Sequence, residues 1–267
     1  MIGYFLIAAV SLVFLHAFLI ERFWIKVRRV ELGLPFRVLV ASDWHLGLFK
    51  GRRFLRRAVA VIEKEKADLI LMPGDFVYLM RRNGLGVFSE LRQVGAPIFG
   101  VLGNHDLMEF SKEEMTAALG AVRLVDNRCE VVSLGGEKVA ICGVGDLMMK
   151  DDRYEGVMAA MDLRRRGEVS RVLVLMHNPD GVRKMVLECG VEVAQLVDLV
   201  VCGHTHGGQL RMPRWLRRFA VPCEEDFVSG IYEVCGVRVL VSAGLGETLL
   251  PLRLGVRPEV VILEGGW

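Results

Sequence analysis

The sequence has almost no excess of charge of either sign. Among its 267 residues, 34 Lys and Arg stand against 32 Asp and Glu, which gives a formal net charge of +2. This balance argues against a dedicated nucleic-acid coat protein, and no nucleic-acid partner is expected. The sequence also lacks repeats and low-complexity segments, and 52% of its residues are hydrophobic. A globular chain is therefore expected, and a disordered or collagen-like chain is excluded.

Closely spaced cysteine pairs are missing as well, although the chain contains six cysteines. The absence of any CxxC pair argues against a cysteine-rich structural zinc site. Several cysteines, among them Cys142 and Cys202, lie inside apolar runs. They are predicted to be buried free thiols, and disulfides are expected only if the domain is exported.

The N-terminal segment contains no charged residue between positions 2 and 20. A helix of that length covers roughly 28 Å, about the thickness of the hydrocarbon core of a bilayer. Arg22, Lys26, Arg28 and Arg29 follow, and flanking cations of this kind stay on the cytoplasmic side. Residues 1–21 are therefore predicted to be a single-pass signal anchor in the inner, cytoplasmic membrane, with the domain facing the cytoplasm. A cleaved signal peptide is the alternative, but no cation precedes the run and no A-x-A site follows it.

The rest of the chain is predicted to be a basic tether, 22–35, followed by one α/β domain, 36–267. Short unalternating apolar runs predict buried strands at 36–41, 68–72, 97–102, 138–142, 171–176, 197–202, 237–241 and 259–263. Helical patterns occur between several of them, at 54–66, 111–119 and 178–188. Ser111 and Glu114 form a capping-box pattern at the start of the second helix.

Polar side chains that can bind metal follow five of these strands. They are Asp43 and His45, Asp75, Asn104 and His105, His177, and His204 and His206. In open α/β sheets, ligands bind beyond the carboxyl ends of the strands, so one shared crevice is expected. Carboxylate, imidazole and amide donors without cysteine suit divalent Mn, Fe, Zn or Mg-like ions. The number of donors is too large for one tetrahedral ion and suits two ions that share a carboxylate.

The motifs DxH, GD, GNHD, H and GHTH, in this order, resemble the calcineurin-like metallophosphoesterases over roughly residues 36–263. The extended motif at 203–209, the segments 242–246 and 251–253, and the N-terminal anchor are similar to a membrane-associated bacterial branch of phosphodiesterases. That branch includes enzymes that cleave UDP-2,3-diacylglucosamine in lipid A biosynthesis. The resemblance implies a four-layer α/β/β/α sandwich. It also implies two divalent metal ions, with Mn²⁺ expected and Fe or Zn as alternatives.

The same resemblance implies a role for each residue of the motifs. Asp43, His45 and His206 would hold one ion; Asn104, His177 and His204 would hold the second; and Asp75 would bridge them. His105 would act on the phosphoryl group as the catalytic histidine, and Asp106 would orient it and fix its tautomer.

The expected activity is that of a membrane-bound phosphodiesterase or pyrophosphatase whose substrate is a phosphorylated lipid or a nucleotide-sugar lipid. A phosphoesterase of broad specificity, a phosphomonoesterase and a non-catalytic scaffold on the same fold are the alternatives. Two basic clusters could form either a solvated face or a rim that contacts the membrane. The first comprises Lys50, Arg52, Arg53, Arg56 and Arg57; the second comprises Arg211, Arg214, Trp215, Arg217, Arg218 and Phe219.

Overall fold

The computed structural model of the chain describes residues 1–213, 215, 223 and 227–265. The strands are β1 Lys26–Glu31, β2 Val38–Val40, β3 Leu46–Gly47, β4 Leu69–Pro73, β5 Val77–Tyr78, β6 Ile98–Val101, β7 Val122–Leu124, β8 Cys129–Leu134, β9 Glu137–Gly143, β10 Arg171–Leu175, β11 Leu199–Cys202, β12 Gly230–Val234, β13 Val237–Val241 and β14 Glu259–Glu264. All eight strands predicted from the apolar runs are confirmed, with bounds that differ by at most two residues.

Twelve of the strands form two six-stranded sheets. The first sheet has the order β1-β14-β2-β4-β6-β7, and the second has the order β12-β13-β11-β10-β9-β8. Strands β2, β4, β6 and β7 are parallel to one another, as are β9, β10, β11 and β13. Strands β3 and β5 form a separate two-stranded parallel sheet. The carboxyl ends of the parallel strands therefore point to one side of each sheet.

The helices are α1 Ile2–Leu15, α2 Arg52–Lys64, α3 Asn104–Glu109, α4 Lys112–Ala118, α5 Glu155–Arg165, α6 Gly181–Cys189 and α7 Val193–Leu196. Successive strand residues alternate between two environments. Val38 and Val40 pack between the sheets, whereas Leu39 and Ala41 face the layer of α2. Helices α5, α6 and α7 cover the outer face of the second sheet. This arrangement confirms the predicted α/β/β/α sandwich.

The N-terminal apolar segment is helical. One stretch, Gly3–Phe23, has the length and apolar composition needed to cross a membrane, and a signal sequence would share both properties. Its side chains are mostly exposed along α1, and burial begins only at Ala17. The helix widens near its end in a π-helical turn, His16–Ile20, and then tightens in a 3₁₀ turn, Glu21–Phe23.

The predicted basic tether, 22–35, is in fact largely integrated into the domain. Its Lys26–Glu31 segment is strand β1, which pairs in parallel with β14 in register from Lys26–Glu259 to Glu31–Glu264. Arg28 forms a salt bridge with Glu259 at 3.0 Å, which neutralises part of the basic run. The pairing partner lies more than 200 residues away, so no local pattern identifies this strand.

One pair of cysteines differs from the prediction of free thiols. Cys129 and Cys142 face each other on β8 and β9 and form a disulfide. The remaining four cysteines, Cys189, Cys202, Cys223 and Cys235, are free thiols. The antiparallel register, which places the two cysteines directly opposite each other, is what the sequence alone does not reveal.

Candidate metal centre

The predicted metal ligands converge at one end of the sandwich. Asp43 and His45 follow β2, Asp75 follows β4, Asn104 follows β6, His177 follows β10, and His204 and His206 follow β11. All seven side chains are at most 5% exposed. The parallel strands of both sheets end at this edge, and that is why residues far apart in sequence meet here.

The ligand atoms fall into two groups that share one residue. The first group is Asp43, His45, Asp75 and His206, and the second is Asp75, His177 and His204; within each group the ligand atoms lie within 4.8 Å of one another. One oxygen, Asp75 Oδ2, lies 3.3 Å from His45 Nε2 and 3.1 Å from His177 Nε2. Asp75 thus stands between the two groups, as expected of a bridging carboxylate.

The donors of the centre fit metal ions because several buried polar atoms have no hydrogen-bond partner among the described residues. These atoms are Asp43 Oδ2, Asn104 Oδ1, His45 Nδ1 and His206 Nδ1. A buried polar atom without a partner is costly, and a cation offsets that cost. Oxygen and imidazole donors without sulfur suit borderline and hard divalent ions.

His105 is held against the shared carboxylate of Asp75. The backbone N–H of His105 donates to Asp75 Oδ1 at 3.0 Å. The His105 ring lies 5.1 Å from the His45 ring and 5.0 Å from the Tyr78 ring, measured between centroids. The imidazole of His105 is only partly buried, so it faces the crevice and can approach a phosphoryl oxygen.

The Asp106 carboxylate binds backbone N–H groups, and its implied role in orienting His105 stays a prediction. Its Oδ1 accepts hydrogen bonds from the backbone N–H groups of Phe76 and Val77, and its Oδ2 accepts from Gly103. Both oxygens are therefore occupied by the backbone. Asp106 thus connects the loop after Asp75 to the turn that carries Asn104. It helps to position these two predicted metal ligands.

Electrostatics within the centre follow burial and the shared carboxylate. Burial alone would raise the pKa of Asp75, but His177 and His45 hold it well below its usual value. Burial opposes protonation of His177, yet Asp75 and Asp43 raise its pKa to about 10. Burial lowers the pKa values of His206 and His105, which favours their neutral imidazoles. A neutral imidazole binds a metal through one nitrogen and can donate an N–H from the other.

Three further residues of the site escaped the sequence analysis. Tyr78, on β5, packs edge-on against the rings of His45 and His105. Asp146 follows β9, is fully buried and favours protonation of His177. Arg253 is fully buried and donates to the carbonyls of Ala243, Gly246 and His206.

Among these three residues, only Asp146 lies in a recognisable sequence pattern. Gly145-Asp146 repeats the Gly-Asp pattern of Gly74-Asp75 after an apolar strand. The segment 251–253 was noted only as a family feature, and its arginine had no assigned role. Tyr78 had no distinguishing pattern.

The first basic cluster is not one continuous rim. Lys50 is fully buried and pairs with Glu247 at 2.7 Å. The arginines at 52, 53, 56 and 57 are exposed along α2, where Arg52 and Arg56 both pair with Glu90. They form a solvated helix face. In the second cluster, Arg214, Arg217, Arg218 and Phe219 lie outside the described residues, while Trp215 is 70% exposed.

Comparison with known proteins identifies the family. A family model described as calcineurin-like phosphoesterase matches residues 36–208. The chain belongs to the calcineurin-like phosphoesterases. It is 31% identical over 237 residues to phosphodiesterase YaeI of Escherichia coli, with 86% of this chain and 82% of that protein covered. It is 30% identical to the uncharacterized metallophosphoesterase YkuE of Bacillus subtilis, with coverage of 85% and 78%.

A solved structure shows the same fold. A dimetal phosphatase from Danio rerio superposes with a TM-score of 0.53 at 15% identity, over 79% of this chain and 88% of that one. This calcineurin-like phosphoesterase thus has the family fold and a metal-binding site for hydrolysis of phosphoester bonds. Two metal ions in such a site activate water and neutralise the phosphoryl charge.

Proposed function

We propose that this phosphoesterase is a membrane-anchored, two-metal phosphodiesterase or pyrophosphatase that uses Mn²⁺. The observation that carries the proposal is the position of Asp75, which belongs to both groups of metal-binding side chains. Asp43, His45 and His206 would hold one ion, and Asn104, His177 and His204 the other. His105 would donate a hydrogen bond from its imidazole to the phosphoryl or leaving-group oxygen.

The proposed substrate is a lipid with an anionic phosphodiester or pyrophosphate headgroup, of the type of UDP-2,3-diacylglucosamine. Two features support a lipid. The apolar helix ends directly at the catalytic domain, and Trp215, next to the GHTH loop in sequence, is exposed. The branch resemblance of the sequence supports the choice of headgroup. The chain would act at the inner membrane with its domain on the cytoplasmic side, where nucleotide-activated sugars are made.

A parallel assay tests the activity and its class. Purified full-length protein, stripped of metal and supplied with Mn²⁺, Fe²⁺ or Zn²⁺, is incubated with UDP-2,3-diacylglucosamine, bis-p-nitrophenyl phosphate and p-nitrophenyl phosphate. The proposal predicts Mn²⁺-dependent turnover of the first two and slow turnover of the monoester. Preferred turnover of p-nitrophenyl phosphate would identify a phosphomonoesterase instead, and no turnover with any metal would identify a scaffold.

A further inference from the structure

The N-terminal helix joins the catalytic domain through a fixed junction. The backbone N–H of Arg253 donates to the carbonyl of Ala17 at 3.3 Å. Arg22 is buried, pairs with Glu247 at 3.3 Å and donates to the carbonyl of Phe49 at 3.2 Å. The helix axis and the domain therefore have one relative orientation, and the domain presents one particular face to whatever surrounds the helix.

Four exposed leucines lie in loops near this junction. Leu48 is 58% exposed, Leu79 59%, Leu249 81% and Leu250 56%. Tyr78 holds their loops together, because its carbonyl accepts from the N–H of Leu48 and its hydroxyl accepts from the N–H of Leu249, each at 3.1 Å. We call these four side chains the leucine rim.

The leucine rim flanks a series of side-chain contacts that joins the helix to the metal centre. The Arg22 guanidinium lies within 6 Å of the ring centroids of Phe18 and Phe49. The Phe49 ring is 5.8 Å from that of Tyr78, which in turn is 5.0 Å from the ring of His105. A series of contacts thus runs from the end of the apolar helix, through the sequence neighbours of Leu48 and Leu79, to the proposed catalytic histidine.

Two rim residues also have an unusual backbone. Leu79 has a φ of 48° and Leu249 a φ of 59°, both in the left-handed region that disfavours leucine. Glycine or asparagine would fit these turns with less strain, and neither leucine is buried in return. Exposed leucines on strained turns beside an active site indicate a contact outside the folded chain.

We propose that the leucine rim inserts into the leaflet that surrounds the domain end of the N-terminal helix. The inserted rim would hold the metal centre at headgroup level. The inference rests on the proposed membrane anchoring and adds the route of the substrate. An amphiphile would slide sideways from the leaflet past the rim, with its acyl chains still in the bilayer. Its phosphoryl group would then reach His105 without leaving the interface.

Depth-dependent quenching tests the contact without any need for activity. Full-length Leu249→Trp protein is reconstituted in phosphatidylglycerol vesicles whose acyl chains carry bromine, and the emission that the new tryptophan adds to wild type is measured. Leu187→Trp is the matched control, because Leu187 is 84% exposed on α6, over the second sheet. The proposal predicts strong quenching at position 249 and little at 187. Equal quenching at both positions, or none at 249, would overturn it.

A second measurement connects the rim to turnover. The double variant Leu249→Ser with Leu250→Ser is compared with Leu187→Ser plus Val191→Ser, on p-nitrophenyl dodecyl phosphate in vesicles and on soluble bis-p-nitrophenyl phosphate. The rim variant should lose about tenfold or more on the lipid diester and stay within about twofold on the soluble one. Equal loss on both substrates would assign the rim to the fold.

The outcomes separate this inference from the proposed function. Quenching at 249 without hydrolysis of either diester would leave the rim standing and refute the phosphodiesterase. Hydrolysis of the soluble diester without quenching would do the reverse. A concentration-dependent dimer in detergent that Leu249→Ser dissociates, together with absent quenching, would show that the rim binds a second copy.

Discussion

At the scale of single residues, the metal centre concentrates backbone strain. Asp43, His45, Asp75, His204 and His206 all have a φ between 44° and 72°. Non-glycine residues rarely adopt this region, and each instance costs of order 1–3 kcal/mol. At these residues the backbone turns sharply after each strand, and this turn directs the ligand side chains into one crevice.

Glycine makes the close approach possible. A Cβ at Gly103 would lie 2.2 Å from Asp75 Oδ1, and one at Gly203 would lie 2.5 Å from Asp43 Oδ2. The glycines of the GNHD and GHTH motifs are therefore required beside the carboxylates. The motif spacing could be recognised from the sequence, but this reason for it could not.

Replacement of the shared carboxylate should remove both ions. We expect Asp75→Asn to lose metal from both positions and to abolish turnover while the fold survives, because a neutral amide cannot balance two cations. Metal content by plasma mass spectrometry and the Mn²⁺ dependence of diester hydrolysis measure this. Asp162→Asn, on the exposed face of α5, is the control. Wild-type rates for Asp75→Asn in metal-limited buffer would show that the bridge is wrongly assigned.

His105 should matter for chemistry and not for metal. His105→Ala is expected to lower kcat by roughly 10²–10⁴, the usual contribution of a positioned acid–base group, with metal content unchanged. Steady-state kinetics and metal analysis on the same sample make the comparison. Loss of metal in this variant would place His105 among the ligands.

At the scale of elements, the central strands could be predicted and the edge strands could not. Strands β4, β10 and β11 are buried on both faces, so their sequences are continuous apolar runs. Strands β1 and β8 lie at sheet edges and alternate with charged or polar residues. Their pairing is decided by distant partners, which no local pattern contains.

The helices likewise include some that the local sequence predicts and one that it does not. Ser111 caps α4 through the N–H of Glu114, as the local capping-box pattern predicts. Helix α5 is not predicted because its buried apolar face, Val157, Ala160 and Met161, is short. The site itself was readable because its ligands directly follow strands, whereas Tyr78 acts only through ring contacts made in the fold.

The junction between helix and domain should be sensitive to one carboxylate. Glu247 pairs with both Lys50 and Arg22, and all three side chains are buried. Glu247→Gln leaves two buried cations without a carboxylate partner, so we expect the free energy of unfolding to fall by about 3–5 kcal/mol. Urea unfolding in detergent micelles measures the change. Glu192→Gln, in an exposed pair with Arg165, should cost less than about 1 kcal/mol, and equal effects would contradict this account.

Stability should depend on pH through Asp126, whose carboxylate accepts from the N–H of Leu102. Burial raises its pKa from 3.8 to about 6, so the folded state binds the proton more tightly than the unfolded state. This group therefore costs stability as pH rises through that window, and the full cost is present above about pH 6.

Asp126→Asn should remove that cost. We expect the variant to gain about 1–3 kcal/mol over wild type at about pH 7.5, and less at about pH 4.5. Denaturant titrations of both proteins at the two pH values measure the difference. A gain that is larger at the lower pH would show that the carboxyl is ionised and stabilising in the fold.

At the scale of the whole molecule, the property to test is the side of the membrane on which the domain lies. The cations after the apolar helix predict an inward-facing domain, whereas the Cys129–Cys142 disulfide is favoured outside the cytoplasm. In an inward-facing domain the reducing environment would keep both cysteines as thiols. A C-terminal fusion to alkaline phosphatase should be inactive, and both cysteines should react with maleimide in acid-quenched cells. An active fusion with both cysteines protected would place the domain outside, where the disulfide is stable.

The pairing of β1 with β14 makes the first sheet depend on two strands that lie more than 200 residues apart in sequence. The ribosome makes β1 well before β14, which follows all the other described strands in sequence order. Yet β14 lies between β1 and β2, so these two strands cannot be joined in the first sheet until β14 has been synthesised. A chain without β14 leaves the edge of β2 uncovered and β1 unpaired. Exposed strand edges of this kind promote aggregation, so such a chain is expected to aggregate instead of folding.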